Sequence, residues 1–256
     1  MLKIKFLGTH NAESKETNLA CFLIDNVIAV DAGSLASELT FAEQARVIAI
    51  LLSHGHYDHI RELPAFAFNN SDRVTKVFGL RDTLEIFSSH LADGLIYPEF
   101  VNENSYLAKS VLELCEIQPL KSFDIYGYKI LPVSVPHPIA AVGFEISRGG
   151  KRIFYTGDTG SGLSKIWQHV SPQLLVADMT LPNRLRKVAE ESGHMCAELL
   201  KIELEAFHRM KGYLPRVTLV HMSPQYETEI AEDIEKICSE LSISISLLGE
   251  GEELIV

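Results

Sequence analysis

"LLSHGHYDHI", residues 51–60, crowds His54, His56, Asp58 and His59 into a turn that follows directly on an apolar run. A buried core satisfies one histidine with ease and a group of them with difficulty, because each imidazole needs its own hydrogen-bond partners. His54 and His56 are two apart with Gly55 between them, and Gly55 permits a bend that turns both rings toward one point. Asp58 and His59 follow at once and serve a second point nearby. Imidazoles and a carboxylate suit zinc, manganese or iron better than magnesium or calcium.

A pair of metal ions needs more donors than one loop supplies. His137 lies between two prolines in "VSVPHPIAAVGF". Asp158 ends the strand of "RIFYTGDTG", His221 ends "VTLVHM", and Asp31 ends "NVIAVDAG". Each polar residue terminates an apolar strand, the place where a sheet scaffold presents functional groups.

Outward from these residues the chain reads as mixed strands and helices. "IKFLGT" is a strand. "LACFLIDNVIAVDAG" is two strands joined by a turn at Asp25–Asn26. The pattern predicts a helix over residues 34–45 with Ser34 as its N-cap. It predicts a buried strand in "RVIAILLSH", a proline-disturbed helix in "IRELPAFAFN", a strand in "RVTKVFGL", a helix in "RDTLEIFSSHL" and an irregular stretch over residues 91–104. "VLELCEI", "YKILPVSV", "AVGFEIS" and "KRIFYTGD" read as strands, with a hairpin turn at "SRGGKR". The last third alternates: strand "LLVADM", a helix over residues 194–211, strand "VTLVHM", a helix over residues 224–241, then two short strands. Sheets packed together with helices outside would use this order well.

The 256 residues are 46% hydrophobic and 22% charged, as in a folded protein. No apolar run is long enough to span a membrane, and "MLKIKFLGTH" alternates like a strand rather than a signal peptide, so a cytoplasmic location is the default expectation. Cys21, Cys115, Cys196 and Cys238 have no CxxC spacing and read as free thiols, with Cys196 notable for lying close to His194. The formal net charge of -11 argues against gripping long nucleic acid, where phosphate contacts dominate affinity. It does not exclude a small phosphorylated ligand, and the densest basic patch, "NRLRK", offers Arg184, Arg186 and Lys187 as weak candidates to hold one.

"VDAG", "SHGHYDH", "PHP", "TGDTG" and "VHMSP", in that order, resemble the metallo-β-lactamase superfamily of metal hydrolases. The resemblance implies a four-layer αββα sandwich, here a single domain over residues 1–256, with two divalent metal ions at its edge. Zinc is the first expectation and manganese or iron the others. It implies that His54, His56 and His137 hold one metal, that Asp58, His59 and His221 hold the other, and that Asp158 bridges them. Asp31 would orient a cluster histidine. "LPNRLRKVAEESGHMCAELL" places His194 where the tRNase Z and phosphodiesterase branch has an extra histidine that assists the leaving oxygen, with Gly193 supplying a bend and Ser192 a helix cap. "GLIYPEF", "HPIAAVGFEI" and "LPNRL…SGHM" look like bacterial class II-type 3′,5′-cyclic-nucleotide phosphodiesterases.

That resemblance implies hydrolysis of a small phosphodiester by a hydroxide shared between the metals, with Asp58 as proton acceptor and His194 as proton donor. A thioester or lactone hydrolase of the glyoxalase kind is the rival, and an RNase Z-like nuclease another. tRNase Z itself fits less well, since no Gly/Pro-rich arm lies between His59 and His137. Diiron members that handle oxygen commonly begin with HxE, where this chain has HxH. A homodimer is also implied by the relatives.

Overall fold

The computed structural model describes residues 1–102 and 110–256. Its strands are β1 (Lys3–Gly8), β2 (Cys21–Ile24), β3 (Ile28–Val30), β4 (Ala49–Leu51), β5 (Thr75–Gly79), β6 (Leu112–Glu116), β7 (Phe123–Ile125), β8 (Tyr128–Ser134), β9 (Val142–Arg148), β10 (Lys151–Tyr155), β11 (Leu174–Asp178), β12 (Arg216–Val220), β13 (Ile245–Leu247) and β14 (Glu253–Ile255). Its helices are α1 (Phe41–Gln44), α2 (Tyr57–Ile60), α3 (Leu63–Asn69), α4 (Arg81–His90), α5 (Arg186–Ser192), α6 (Ala197–Lys211) and α7 (Glu227–Leu241).

Two seven-stranded sheets result, ordered β14-β1-β2-β3-β4-β5-β6 and β13-β12-β11-β10-β9-β8-β7. Alternation along the strands sorts side chains into three apolar layers. Ile28, Val30, Ala49 and Leu51 face the second sheet and meet Phe144, Tyr155 and Val176. On the outer side of the first sheet, Ala29, Ile50 and Leu52 meet Leu63, Phe66, Leu84 and Phe87 from α3 and α4. On the outer side of the second, Phe154, Leu175 and Leu219 meet Leu199, Phe207 and Ile230 from α6 and α7. Strands buried on both faces read as continuous apolar runs. This is the expected αββα sandwich.

Short turns behave as their chemistry predicts. Asp25 and Asn26 both take positive φ, 49° and 59°, which suits the twist of the β2–β3 hairpin. Gly149 and Gly150 do the same between β9 and β10.

Several helices depart from expectation. Residues 34–39 are not helical. Ser34 Oγ donates to Leu19 O at 2.7 Å instead of capping, and the Ala36 and Ser37 amides donate to Glu62 Oε2 at 2.7 and 2.8 Å. A carboxylate takes the backbone donors that a helix start would use, so α1 begins only after Thr40, which forms a capping box with Glu43. Pro64 sits in the first turn of α3, where it starts the helix rather than disturbing it. The helix expected over residues 194–211 starts only at Ala197: a separate helix, α5, ends at Ser192, whose Oγ donates to Val188 O, and Gly193 turns left-handed at φ 73° before α6. Gly193 does supply the bend, whereas Ser192 closes a helix instead of opening one. The first turn of α6 is held by Asn183 Oδ1, which accepts from the Glu198 amide at 2.9 Å. A 3-10 turn at Pro224–Tyr226 precedes α7. The strand β7 and the short helices α2 and α5 were not anticipated. The irregular stretch is turns and bends over residues 91–102, and its end at Asn104 lies outside the described residues, as does part of the His59–His137 interval.

Gly33 shows how tightly this scaffold grips the histidine loop. A Cβ there would fall 2.2 Å from Asp58 O and 2.7 Å from Leu19 Cβ. Gly33→Ala is predicted to destabilise the protein by about 1–3 kcal/mol or more, since packed backbone must move. It should also displace α2. Urea unfolding and metal stoichiometry measure both effects; a parent-like midpoint with full metal loading would contradict this packing.

Candidate metal centre

The strands bring their C-terminal ends to one edge. His54 and His56 follow β4, His59 lies on α2, His137 follows β8, Asp158 follows β10 and His221 follows β12. The Val142 amide donates to Ser53 O at 3.0 Å, tying the two sheets together there. Gly55 meets this loop differently than expected: its φ is ordinary, and a Cβ would press on Ile86 Cδ1 at 2.6 Å, so glycine serves close approach rather than a bend.

The proposed ligands form two overlapping groups, and a third group, Asp178, His194 and His221, adjoins them. His54, His56, His137 and Asp158 make the first, and Asp58, His59, Asp158 and His221 make the second. In the first, His54 Nε2 stands 2.9 Å from His56 Nδ1 and 3.6 Å from Asp158 Oδ2, and His137 Nε2 stands 3.2 Å from His56 Nδ1. In the second, His59 Nε2 lies 3.5 Å from Asp58 Oδ2 and 3.2 Å from Asp158 Oδ1, while His221 Nε2 lies 3.1 Å from Asp58 Oδ2 and 3.3 Å from Asp158 Oδ2. Donors about 2.0–2.2 Å from a tetrahedral ion stand roughly 3.3–3.6 Å from one another, close to these separations.

Burial supports the fit. His59 Nε2 and Asp158 Oδ1, 3.2 Å apart in the second group, are buried and have no hydrogen bond among the described residues. Such orphaned atoms in a native site call for an explanation, and a cation supplies one. Burial and neighbouring imidazoles push His54 well down and also lower His56 and His137, leaving lone pairs free for an ion. Burial alone would raise the Asp58 carboxyl, but His59 and His221 outweigh it and hold it well below the usual range. Burial would lower His59, yet Asp158, Asp31 and Asp58 raise it well above the ordinary value. Carboxylates that draw a proton there draw a divalent ion for the same reason.

Hydrogen bonds behind the donors set the ring orientations. Asp31 accepts from His59 Nδ1 at 2.8 Å, Ser53 N at 2.7 Å, Ser53 Oγ at 2.8 Å and Tyr155 Oη at 2.7 Å. His54 Nδ1 donates to Ser53 Oγ at 3.0 Å, and His137 Nδ1 to Gly193 O at 3.1 Å. His221 Nδ1 donates to Thr180 Oγ1 at 2.9 Å, and Thr180 donates on to Asp178 Oδ1 at 2.6 Å. With Nδ1 committed in His54, His59, His137 and His221, Nε2 turns inward. Asp31 and His221 take positive φ, 57° and 67°, a strain of about 1–3 kcal/mol each that the surroundings must hold.

His194 stands beside both groups. Its ring stacks on His221 at 5.3 Å and meets His137 edge-on at 5.3 Å. Its Nδ1 donates to Asp178 Oδ2 at 2.8 Å. Burial would lower its pKa, but Asp178 outweighs that and raises it to about 9. Sequence reading missed Asp178, although it ends the strand-like "LLVADM" just as Asp31 ends "NVIAVDAG".

The basic candidates are engaged elsewhere. Arg184 pairs with Glu229 at 2.6 Å, Arg186 with Glu190 at 3.1 Å and Glu198 at 2.9 Å, and Lys187 with Glu191 at 3.7 Å. Among the described residues, none makes a hydrogen bond to a cluster residue. Cys196 is buried at the start of α6, and all four cysteines are free. No helix among the described residues is long and apolar enough to cross a membrane.

The sequence profile of the beta-lactamase superfamily domain matches residues 22–222, and the chain belongs to that family. It is a hydrolase-superfamily member with the metallo-β-lactamase fold. A metal-dependent hydrolase of Bacillus mycoides is 38% identical over 80 residues, 31% of this chain and 33% of its own. An endoribonuclease of Eremothecium gossypii is 24% identical over 176 residues, 59% of this chain and 23% of its own. The chain thus spans only about a quarter to a third of the length of these curated relatives. Among solved structures, yeast PDE1 superposes with a TM-score of 0.83 at 16% identity, covering 100% of this chain and 99% of that one. The metallo-β-lactamase fold protein YhfI of Bacillus subtilis gives 0.79 at 18%, covering 99% and 98%. The short form of human tRNase Z gives 0.71 at 17%, covering 99% of each. These likenesses establish the fold.

Removing a central donor should empty the site: His56→Ala and Asp158→Ala are predicted to bind no stoichiometric zinc. Asp31→Ala should weaken zinc binding by about 10–100-fold while leaving every proposed ligand in place. Titration against a chromophoric chelator measures this, and parent-like affinity in Asp31→Ala would contradict its orienting role.

Proposed function

We propose that residues 1–256 form a single-domain, dinuclear metal-dependent phosphodiesterase that acts on a small phosphodiester, cyclic nucleotides among them. The observation that carries the reading is the meeting of two His/Asp groups at Asp158, with His194 held against both by Asp178. His54, His56 and His137 would hold one ion, Asp58, His59 and His221 the second, and Asp158 both. Zinc suits the donors, as do manganese and iron. Such ions, when bound, lower the pKa of water toward neutrality and offset charge on phosphoryl oxygens.

The chain's own groups supply the rest. Asp58, the most exposed carboxylate of the cluster at 25%, accepts the proton of the attacking water. His194 carries its proton on the free Nε2, because Nδ1 is committed to Asp178. Donation from Nε2 would neutralise the departing alkoxide. The positive charge that Asp178 sustains on His194 also favours an anionic substrate over a neutral one. The solved relatives include phosphodiesterase and tRNase Z folds, which supports this choice over a thioester or lactone hydrolase. The net charge of -11 favours a small substrate over a long polyanion.

A substrate panel on zinc- or manganese-loaded protein tests the reading, using bis-p-nitrophenyl phosphate, cyclic AMP, an acyl lactone, a glutathione thioester and a labelled oligonucleotide. Diester hydrolysis is expected. His194→Ala should lower its kcat by about 10²–10⁴-fold with metal content unchanged. Turnover of the lactone or thioester alone would overturn the assignment, and a His194→Ala variant as fast as the parent would remove His194 from the mechanism.

A further inference from the structure

The flank of the cluster formed by Asp58 and His221 is bordered by residues 9–13. The Asn11 amide donates to Met222 O at 3.2 Å and its Nδ2 donates to Ser223 Oγ at 2.8 Å, immediately after His221 in the chain. Two residues further on, Glu13 forms an ion pair with Arg61. The loop therefore reaches from the residues after one proposed ligand to the residue just beyond α2, which carries the other.

Arg61 continues α2, and on a helix it lies about 60° around from Asp58 and one turn from Tyr57. His59 and Ile60 occupy the buried side of that helix. Tyr57, 62% exposed, and Arg61, whose side chain is 25% exposed, thus stand together on the open side next to Asp58. A phenol ring beside a guanidinium is a chemistry that recognises a nucleotide's base and phosphate. The second acidic neighbour of Arg61, Glu62 at 3.7 Å, is tied to the Ala36 and Ser37 amides and stays in place. Glu13 is different: its side chain is 49% exposed, and among the described residues its carboxylate pairs with Arg61 alone. It can leave at small cost.

We propose that Arg61 anchors a further phosphate group of the substrate, beyond the diester that is cleaved, and that Glu13 occupies this position until substrate displaces it. The preferred substrate class is then a nucleotide diester bearing an additional terminal phosphate. This rests on the phosphodiesterase reading and names its substrate more closely.

Two esters test it: thymidine 5′-(p-nitrophenyl phosphate), with and without a 3′-phosphate. Arg61→Gln is expected to raise KM for the 3′-phosphorylated ester by about ten- to a hundredfold and to leave the other within about twofold. Glu13→Gln should shift KM the opposite way, lowering it about two- to fivefold for the 3′-phosphorylated ester only. Metal content should match the parent in both variants. Equal effects on the two esters, or shifts of the same sign in the two variants, would overturn the anchoring role. Should Arg61→Gln fail to fold, the Glu13→Gln comparison decides by itself, and an unchanged KM there counts against the proposal. If the metal-loaded parent cleaves neither ester, the phosphodiesterase reading falls, and this inference with it.

Discussion

A nearly dry carboxylate lies at the centre of this structure. Asp158 is 1% exposed, with one oxygen lacking any hydrogen bond, between His54, His59 and His221. Burying an unpaired carboxylate costs several kcal/mol, so the fold must place positive charge within bonding distance of it. Strands from both sheets end at this point, and most polar residues around it face inward. An arrangement of this kind weakens the apoprotein, because imidazoles and carboxylates are crowded together without full hydrogen bonding. It makes sense as a receptacle for cations, whose binding free energy then contributes to folding.

The surrounding scaffold repeats one device on each sheet. Asp31 on the first sheet and Asp178 on the second are both completely buried strand-end aspartates, and each fixes a histidine by its Nδ1–H. Asp31 holds His59 and, through Ser53, His54. Asp178 holds His194 and, through Thr180, His221. The two carboxylates therefore govern the inward aim of donors in both groups. The difference lies in what they fix. Asp31 fixes proposed ligands and also accepts from Tyr155 Oη, while Asp178 also holds His194, the histidine proposed to act on the substrate.

Much of this was legible in the residues themselves. HxHxDH after an apolar strand, and single His or Asp residues after other apolar strands, are signals that survive folding because strand ends converge at one edge. The outer and inner apolar faces were legible too, since buried strands leave little choice of residue. What failed did so for tertiary reasons. Ser34 looked like a helix cap, but Glu62, far along the chain, takes the amides that a helix would begin with. Residues 194–211 read as a helix opening at His194, whereas left-handed Gly193 ends a separate helix at Ser192 and leaves His194 between the two. Asp178 sits at the end of a plain apolar strand, and only the fold brings His194 and Thr180 to it. The sequence shows the cations at 184, 186 and 187 but not their pairing with Glu229 and Glu198, which the fold adds.

Anomalous X-ray diffraction from crystals grown with zinc measures the central claim most directly. Two peaks should lie between the imidazole and carboxylate donors, roughly 3.5–4 Å apart, with Asp158 touching both. A density map with no anomalous signal there, and the seven side chains turned away from a common centre, would contradict it.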